Sequence, residues 1–140
     1  MNNKLLEMIK EYREKGDFIG EISEQYIKKA QMRLEVKFPL EYKEFVKELG
    51  SGGICGVDVL GVEGEEYASV VESTERNRKS GLPKNYLVIE EVDEFVYCLN
   101  TVDKYNVVRW DDVSKLEIER YSTFDDYLED SFQEAIDNCD

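Results

Sequence analysis

The chain has 140 residues, 41% hydrophobic and 36% charged, which suits one folded domain rather than a disordered chain. Its net charge of −14, from 32 acidic and 18 basic residues, repels nucleic-acid phosphates and favours basic partners. It contains no histidine, which removes Ser-His-Asp and Cys-His nucleophile systems, histidine bases and histidine metal ligands together.

The charge is uneven. Residues 111–140 hold eleven acids and two bases, a charge of −9, leaving −5 for the first 110 residues. No apolar run is long enough to span a bilayer. The opening MNNKLLEMIKEYREK mixes charges into its apolar positions, unlike a signal peptide, so the expectation is a cytoplasmic protein with no membrane contact. Cys55, Cys98 and Cys139 are far apart and odd in number, which argues against a disulfide framework. Cys55 and Cys98 read as small buried hydrophobes and Cys139 as an exposed terminal residue.

Leu5, Met8, Ile9 and Tyr12 share one helical face, so residues 4–15 read as a first helix ended by Lys15-Gly16-Asp17. Ser23 is a suitable N-cap for a second, with Ile27, Ala30 and Leu34 on its apolar side. Pro39 suits the first turn of a third, whose Tyr42, Phe45, Val46 and Leu49 fall at i, i+3, i+4 and i+7. Gly50 stops that helix, and Gly52 and Gly53 let the chain reverse. In residues 54–60, Cys55, Val57 and Val59 alternate as in a strand buried on one face.

Tyr67, Val70, Val71 and Thr74 predict a helix over 67–79, broken by Gly81-Leu82-Pro83. The apolar runs 86–89, 95–99 and 107–110 lie four to seven residues apart, which predicts antiparallel hairpins. An acidic link, 90–94, and a polar link, 100–106, are their turns. Residues 117–121 offer a further strand. Ser122-Thr123-Phe124-Asp125 has the form of a capping box and opens a last helix with Phe124, Tyr127, Leu128, Phe132 and Ala135 inward. The expected fold is a single α+β domain over 1–140, helical in 1–50, with an antiparallel sheet of about four to six strands and a last helix in 51–140.

FPLEYKEFVKELGSGG resembles the helix and Asn-Gly-Gly turn of the SUKH superfamily, which includes the yeast cell-wall-assembly regulators and many bacterial immunity proteins. The family's later pieces follow in order: ICGVDVLG, ASVVESTERNRKSGLP, LVIEEVDEFVYCLNT, VVRWDD and YSTFDDYLEDSF, so the likeness covers about residues 20–135. The combination looks most similar to bacillar immunity proteins paired with LXG-type secreted toxins, some of them nucleases. Two turn positions depart from the family: Ser51 stands for its usual asparagine and Asn100 for an aspartate. The resemblance implies a protein without enzymatic activity that binds and neutralises a cognate toxin. The other function it implies is a regulatory scaffold of the cell-wall type that binds an endogenous protein. It supplies no catalytic residues.

Candidate partner-binding residues are Asp58, Glu63, Glu65, Glu66, Trp110, Asp111 and Asp112, with Gly50, Gly52 and Gly53 as structural turn residues. Tryptophan beside acids at a strand end suits an interface anchor, although a core tryptophan with solvated neighbours is the plainer reading. Asp58 is expected on the outer face of its strand, and Asp125, Asp126, Glu129 and Asp130 on the wet side of the last helix. Carboxylate pairs abound by composition and carry no glycosidase signal. A cation site at Asp111 and Asp112 lacks further converging oxygens, so no cofactor or metal is expected.

Overall fold

In a computed structural model, which describes residues 1–12 and 17–139, the helices are α1 (Asn3–Tyr12), α2 (Glu24–Leu34), α3 (Leu40–Leu49), α4 (Ser69–Lys79) and α5 (Phe124–Asp137). The strands are β1 (Tyr86–Val92), β2 (Phe95–Asn100), β3 (Val107–Trp110) and β4 (Glu117–Tyr121). Lys15 and Gly16, expected to end the first helix, lie outside the described residues. The four strands form one antiparallel meander in the order β1-β2-β3-β4. This is the α+β arrangement that the short gaps between apolar runs predict.

Local chemistry sets the helix ends. Ser23 Oγ accepts from Gln25 N at 3.4 Å and opens α2. Pro39 stands at the N-cap of α3, and Gly50 closes it with φ +73°. The cap of α5 is Thr123, one residue later than the expected Ser122; its Oγ1 accepts from Asp126 N at 3.0 Å. Helix α4 begins at Ser69, so Tyr67 lies before it, half exposed, instead of on its apolar face.

One face of the sheet carries the main core. Leu87, Ile89, Leu99 and Val107 meet Tyr42, Phe45 and Val46 of α3 and Phe124, Tyr127, Leu128 and Phe132 of α5. Edge-to-face contacts join Tyr42 to Phe124 at 5.2 Å and Phe38 to Tyr42 at 5.0 Å, the geometry aromatic quadrupoles favour. Side chains alternate along strands, so Val88, Val96, Cys98, Val108 and Trp110 project to the other face, where they cluster with Leu82 and Tyr86.

Residues 54–60 are not a strand of this sheet, which corrects the expectation from their alternation. Cys55 and Gly56 have φ of +50° and +93°, which turns the chain back on itself. Pairing is limited to the isolated bridge Gly52↔Val59 and one bond from Leu60 N to Ile89 O at 2.8 Å. The glycines before this loop have a steric cause. The backbone of 49–53 is bonded by 17–20 on one side, with Asp17 N donating to Gly53 O at 2.9 Å, and by Val59 and Val62 on the other. A Cβ on Gly52 would sit 1.9 Å from Asp17 O, and one on Gly53 would sit 1.9 Å from Val57 O. Only glycine fits where backbones approach this closely.

The cysteines require a second correction. Cys98 is fully buried, as expected, and burial pushes its thiol pKa up. Cys55 and Cys139, expected to be unpaired, form a disulfide with a Cα–Cα distance of 5.7 Å across 84 residues of sequence. Sequence distance hid the pair, because the fold brings the 50–61 loop beside the end of α5. No helix of the described residues is long and apolar enough to cross a membrane.

Candidate partner-binding face

The tight β1–β2 turn sends Val92 and Phe95 to the end of the sheet, with Asp93 and Glu94 exposed between them. The β3–β4 turn arrives at the same end. There Asp111 Oδ1 accepts from Val113 N at 2.8 Å and Ser114 N at 3.2 Å, an Asx turn that shapes the loop. These two amides hold the Asp111 carboxyl below its ordinary pKa, so it stays charged.

Two shallow cavities flank this end and share Val92 and Phe95. One, of about 460 Å³, brings Glu91, Asp93, Glu94, Asp111 and Asp112 around Trp110. Among the described residues its one lining base is Arg76, already paired with Glu91 and with Glu72 at 3.8 Å. The other, of about 340 Å³, lies between the sheet, the Cys55–Val57 loop and α5. It is lined by Glu90 and Glu134 together with Phe95, Tyr97 and Tyr121.

Glu90 is the chemically distinctive group. A bulge in β1 between Val88 and Glu90 turns it to the face where it pairs with Tyr97. Its Oε1 accepts from Tyr127 Oη at 2.6 Å. Burial, reinforced by the fields of Asp58 and Glu134, raises its carboxyl pKa; the tyrosine bond opposes this without cancelling it. Tyr121 Oη donates to Asp130 Oδ2 at 2.6 Å, so part of the α5 acidic face helps to hold the tyrosine rather than only facing solvent.

The structure separates the sequence-predicted residues into three groups. Asp111 and Asp112 join the acidic end. Trp110 lies beneath them at 2% exposure, within the second core cluster, so it offers a partner little beyond its edge. Glu63 serves the fold: its oxygens accept from Ser69 N at 2.7 Å and Ser69 Oγ at 2.6 Å, which secures the start of α4. Glu65 and Glu66 are exposed on a different groove, between α2 and α4, together with Tyr26, Tyr67 and Lys29. Charges there are internally balanced by Arg33 against Glu75 at 3.0 Å and Arg76 against Glu72. Asp58 is exposed and adds its field to the Glu90 pocket without lining it. Gly50, Gly52 and Gly53 are buried turn residues.

Sequence reasoning missed Glu90, Glu91, Asp93 and Glu94, which it took for a plain turn. The available signal was four acids within five residues between two apolar strands. Tyr97 and Tyr121 carried no separable signal, because an aromatic in a strand is ordinary. Among the described residues, no group of three or more acidic or cysteine side chains converges as a metal site would. In the comparison with known families, a SUKH family model described as SMI1-KNR4 cell-wall matches residues 2–133.

Proposed function

Because the chain belongs to the SUKH, or SMI1-KNR4, family, we propose that it is an immunity protein: it binds a cognate secreted toxin and neutralises it by covering the active site. It does so without catalysis of its own and without a cofactor. The observation that carries this reading is the acidic end of the sheet, where Glu91, Asp93, Glu94, Asp111 and Asp112 surround one cavity whose single base among the described residues, Arg76, is already paired. Carboxylates gathered in this way complement a basic partner and steer its approach. Against a nuclease toxin, they stand where phosphates would lie and occupy the basic residues that hold nucleic acid. The alternative is a regulatory scaffold for an endogenous protein, which the cell-wall description of the matching family favours.

Stopped-flow mixing with the C-terminal domain of a toxin encoded beside this chain tests the reading. Association is expected to slow as salt rises from low to physiological, where the screening length is about 8 Å. Asp111→Asn with Asp112→Asn is expected to slow it several-fold at low salt. The asparagine at 111 keeps an acceptor for the loop amides, so the fold is preserved. A neighbouring toxin that neither binds nor is inhibited would overturn the immunity reading and favour the scaffold.

A further inference from the structure

The pocket on the α5 side of the acidic end combines two features that a general acidic surface lacks. Its walls are rings: Phe95 meets Tyr97 edge-to-face at 5.3 Å, and Tyr97 meets Tyr121 at 6.2 Å. All three are only partly buried, so their outer surfaces remain accessible. Its base is the half-buried carboxylate of Glu90. One oxygen of Glu90 takes the Tyr127 hydroxyl; the other meets no donor among the described residues. Glu134 supplies a second carboxylate at the mouth, and the Cys55–Cys139 bridge fixes one wall.

The surroundings are mixed in charge. Asp58 and Asp130 add negative potential, while Arg109 and Arg120 lie close enough to Tyr97 to act on its hydroxyl. Neither arginine lines the pocket. The Arg109 guanidinium lies over the Phe95 ring, 3.9 Å from its centroid, which shows that this corner accepts a guanidinium stacked on an aromatic face. At about 340 Å³ the cavity falls at the small end of ligand pockets, room for one long side chain rather than for a helix or an extended strand.

We infer that this pocket receives a single arginine side chain of a protein partner, its guanidinium lying against Tyr97 and Tyr121 and its N–H groups directed to Glu90 and Glu134. Guanidinium suits the place better than ammonium. It is planar, stacks on rings, is more weakly hydrated and meets carboxylates through paired donors. The inference rests on the acidic end being a partner-binding face, and it adds a specific anchor to the long-range steering described above. Steering sets how fast partners meet; a desolvated arginine bonded to a half-buried carboxylate sets how long they stay together.

The test uses the full chain and a small probe, so it does not depend on knowing the toxin. N-acetyl-arginine methylamide is titrated while the aromatic resonances of Tyr97 and Tyr121 are followed by NMR, with the N-acetyl-citrulline and N-acetyl-lysine methylamides as comparators. The expected result is a saturable shift at both tyrosines with the arginine probe, none with citrulline and a weaker response with lysine. Glu90→Gln, which keeps an acceptor for Tyr127, is expected to weaken arginine binding about tenfold, the loss of one charge-assisted hydrogen bond. Glu134→Gln, at an exposed position that carries no packing, is expected to weaken it less. Equal shifts with citrulline, a lysine response as strong as the arginine one, shifts spread over the whole acidic surface, or no effect of Glu90→Gln would each overturn the inference. Failure here with intact salt-dependent toxin binding would leave the immunity reading standing; loss of toxin binding altogether would remove that reading while the probe still reports on the pocket.

Discussion

The two ends of the sheet treat their polar groups in opposite ways. At the end formed by the β2–β3 turn, amides bond to one another. Asn85 Nδ2 donates to Asn100 Oδ1, and Asn100 Nδ2 donates to Asn106 Oδ1, both at 3.0 Å; Asn106 Nδ2 reaches Glu119 Oε1 at 2.9 Å. Thr101 Oγ1 donates to Asn85 O at 2.7 Å. At the end formed by the β1–β2 and β3–β4 turns, Asp93, Glu94 and Asp112 point into water, and one Glu90 oxygen meets no donor among the described residues. The first end is satisfied internally and serves architecture. The second keeps its bonding capacity for something outside the molecule. Carboxylate oxygens that reach solvent stay hydrated and remain open to a partner.

The largest expected effect breaks the one covalent tie at the acidic end. The Cys55–Cys139 bridge closes a loop of more than eighty residues, and loop-entropy arguments give such bridges about 2–4 kcal/mol of stabilisation. Cys139→Ser should lower unfolding stability by that amount in urea titrations under oxidising conditions, and the wild-type chain should match it once reduced. Identical midpoints for all three would show that the ends of this loop are held without the bond.

The next effect belongs to the satisfied end. Asn100→Ala removes a donor to Asn106 and an acceptor for both Asn85 and Val102 N. It leaves nearly buried amide atoms unpaired, at a cost of about 2 kcal/mol. Thermal or urea unfolding reads the loss, while association with a partner at the opposite end should not change. A slowed association would mean that the two ends are coupled through the strands and that their division of labour is wrong.

How much of this was legible in the sequence follows from the range of the forces involved. Helices α2, α3 and α5 could be read because their caps and apolar periodicities are local, and strands β1 to β3 because apolar runs between short turns have few alternatives. Residues 54–60 show where alternation fails: it describes which side chains are buried, and a strand also needs an edge to pair with. The edge of β1 receives only Leu60 there. The candidate site was legible in part. Asp111 and Asp112 stand out as charges at a strand end, but the Glu90 pocket draws on the sheet, the 55–57 loop and α5, and no spacing rule connects them. Cys55 and Cys139 were illegible for the same reason.

A smaller effect should mirror the Asn100 result. Asp93→Asn with Glu94→Gln alters two exposed turn residues that make no side-chain hydrogen bond within the described residues. Stability should therefore stay within about 0.5 kcal/mol of wild type. Association with a basic partner should slow at low salt, because the pair lines the acidic cavity. Stopped-flow and unfolding measurements on the same preparation make the contrast: one variant loses stability and keeps its rate, the other does the reverse. If both variants lose stability, the acidic turn serves the fold and the contrast between the ends disappears.

The smallest effect is a dependence on pH, and its sign is diagnostic. Burial, with Asp58 and Glu134 nearby, raises the Glu90 carboxyl above the ordinary glutamate value of 4.5. The folded protein therefore holds this proton more tightly than the unfolded chain does. The resulting stabilisation is fully present below pH 4.5 and is lost as pH rises through the higher folded value. Asp125 acts in the same direction, its carboxyl raised by burial and by Glu41. Asp58 does so too, raised by burial and by Glu63. Stability should thus increase on acidifying from neutral pH toward 4.5, opposite to a protein held together by paired carboxylates. Glu90→Gln should be more stable than wild type at neutral pH and show a flatter dependence, because it keeps the Tyr127 bond and removes the charge. Urea midpoints across this range separate the outcomes. An unchanged slope in the variant would place the titration on the other raised carboxyls and show that the pocket holds its charged carboxylate at no cost to the fold. An occupied pocket should flatten the slope as the substitution does, since a bound guanidinium stabilises the ionised carboxylate and brings its pKa back down, while Asp125 and Asp58 keep their share.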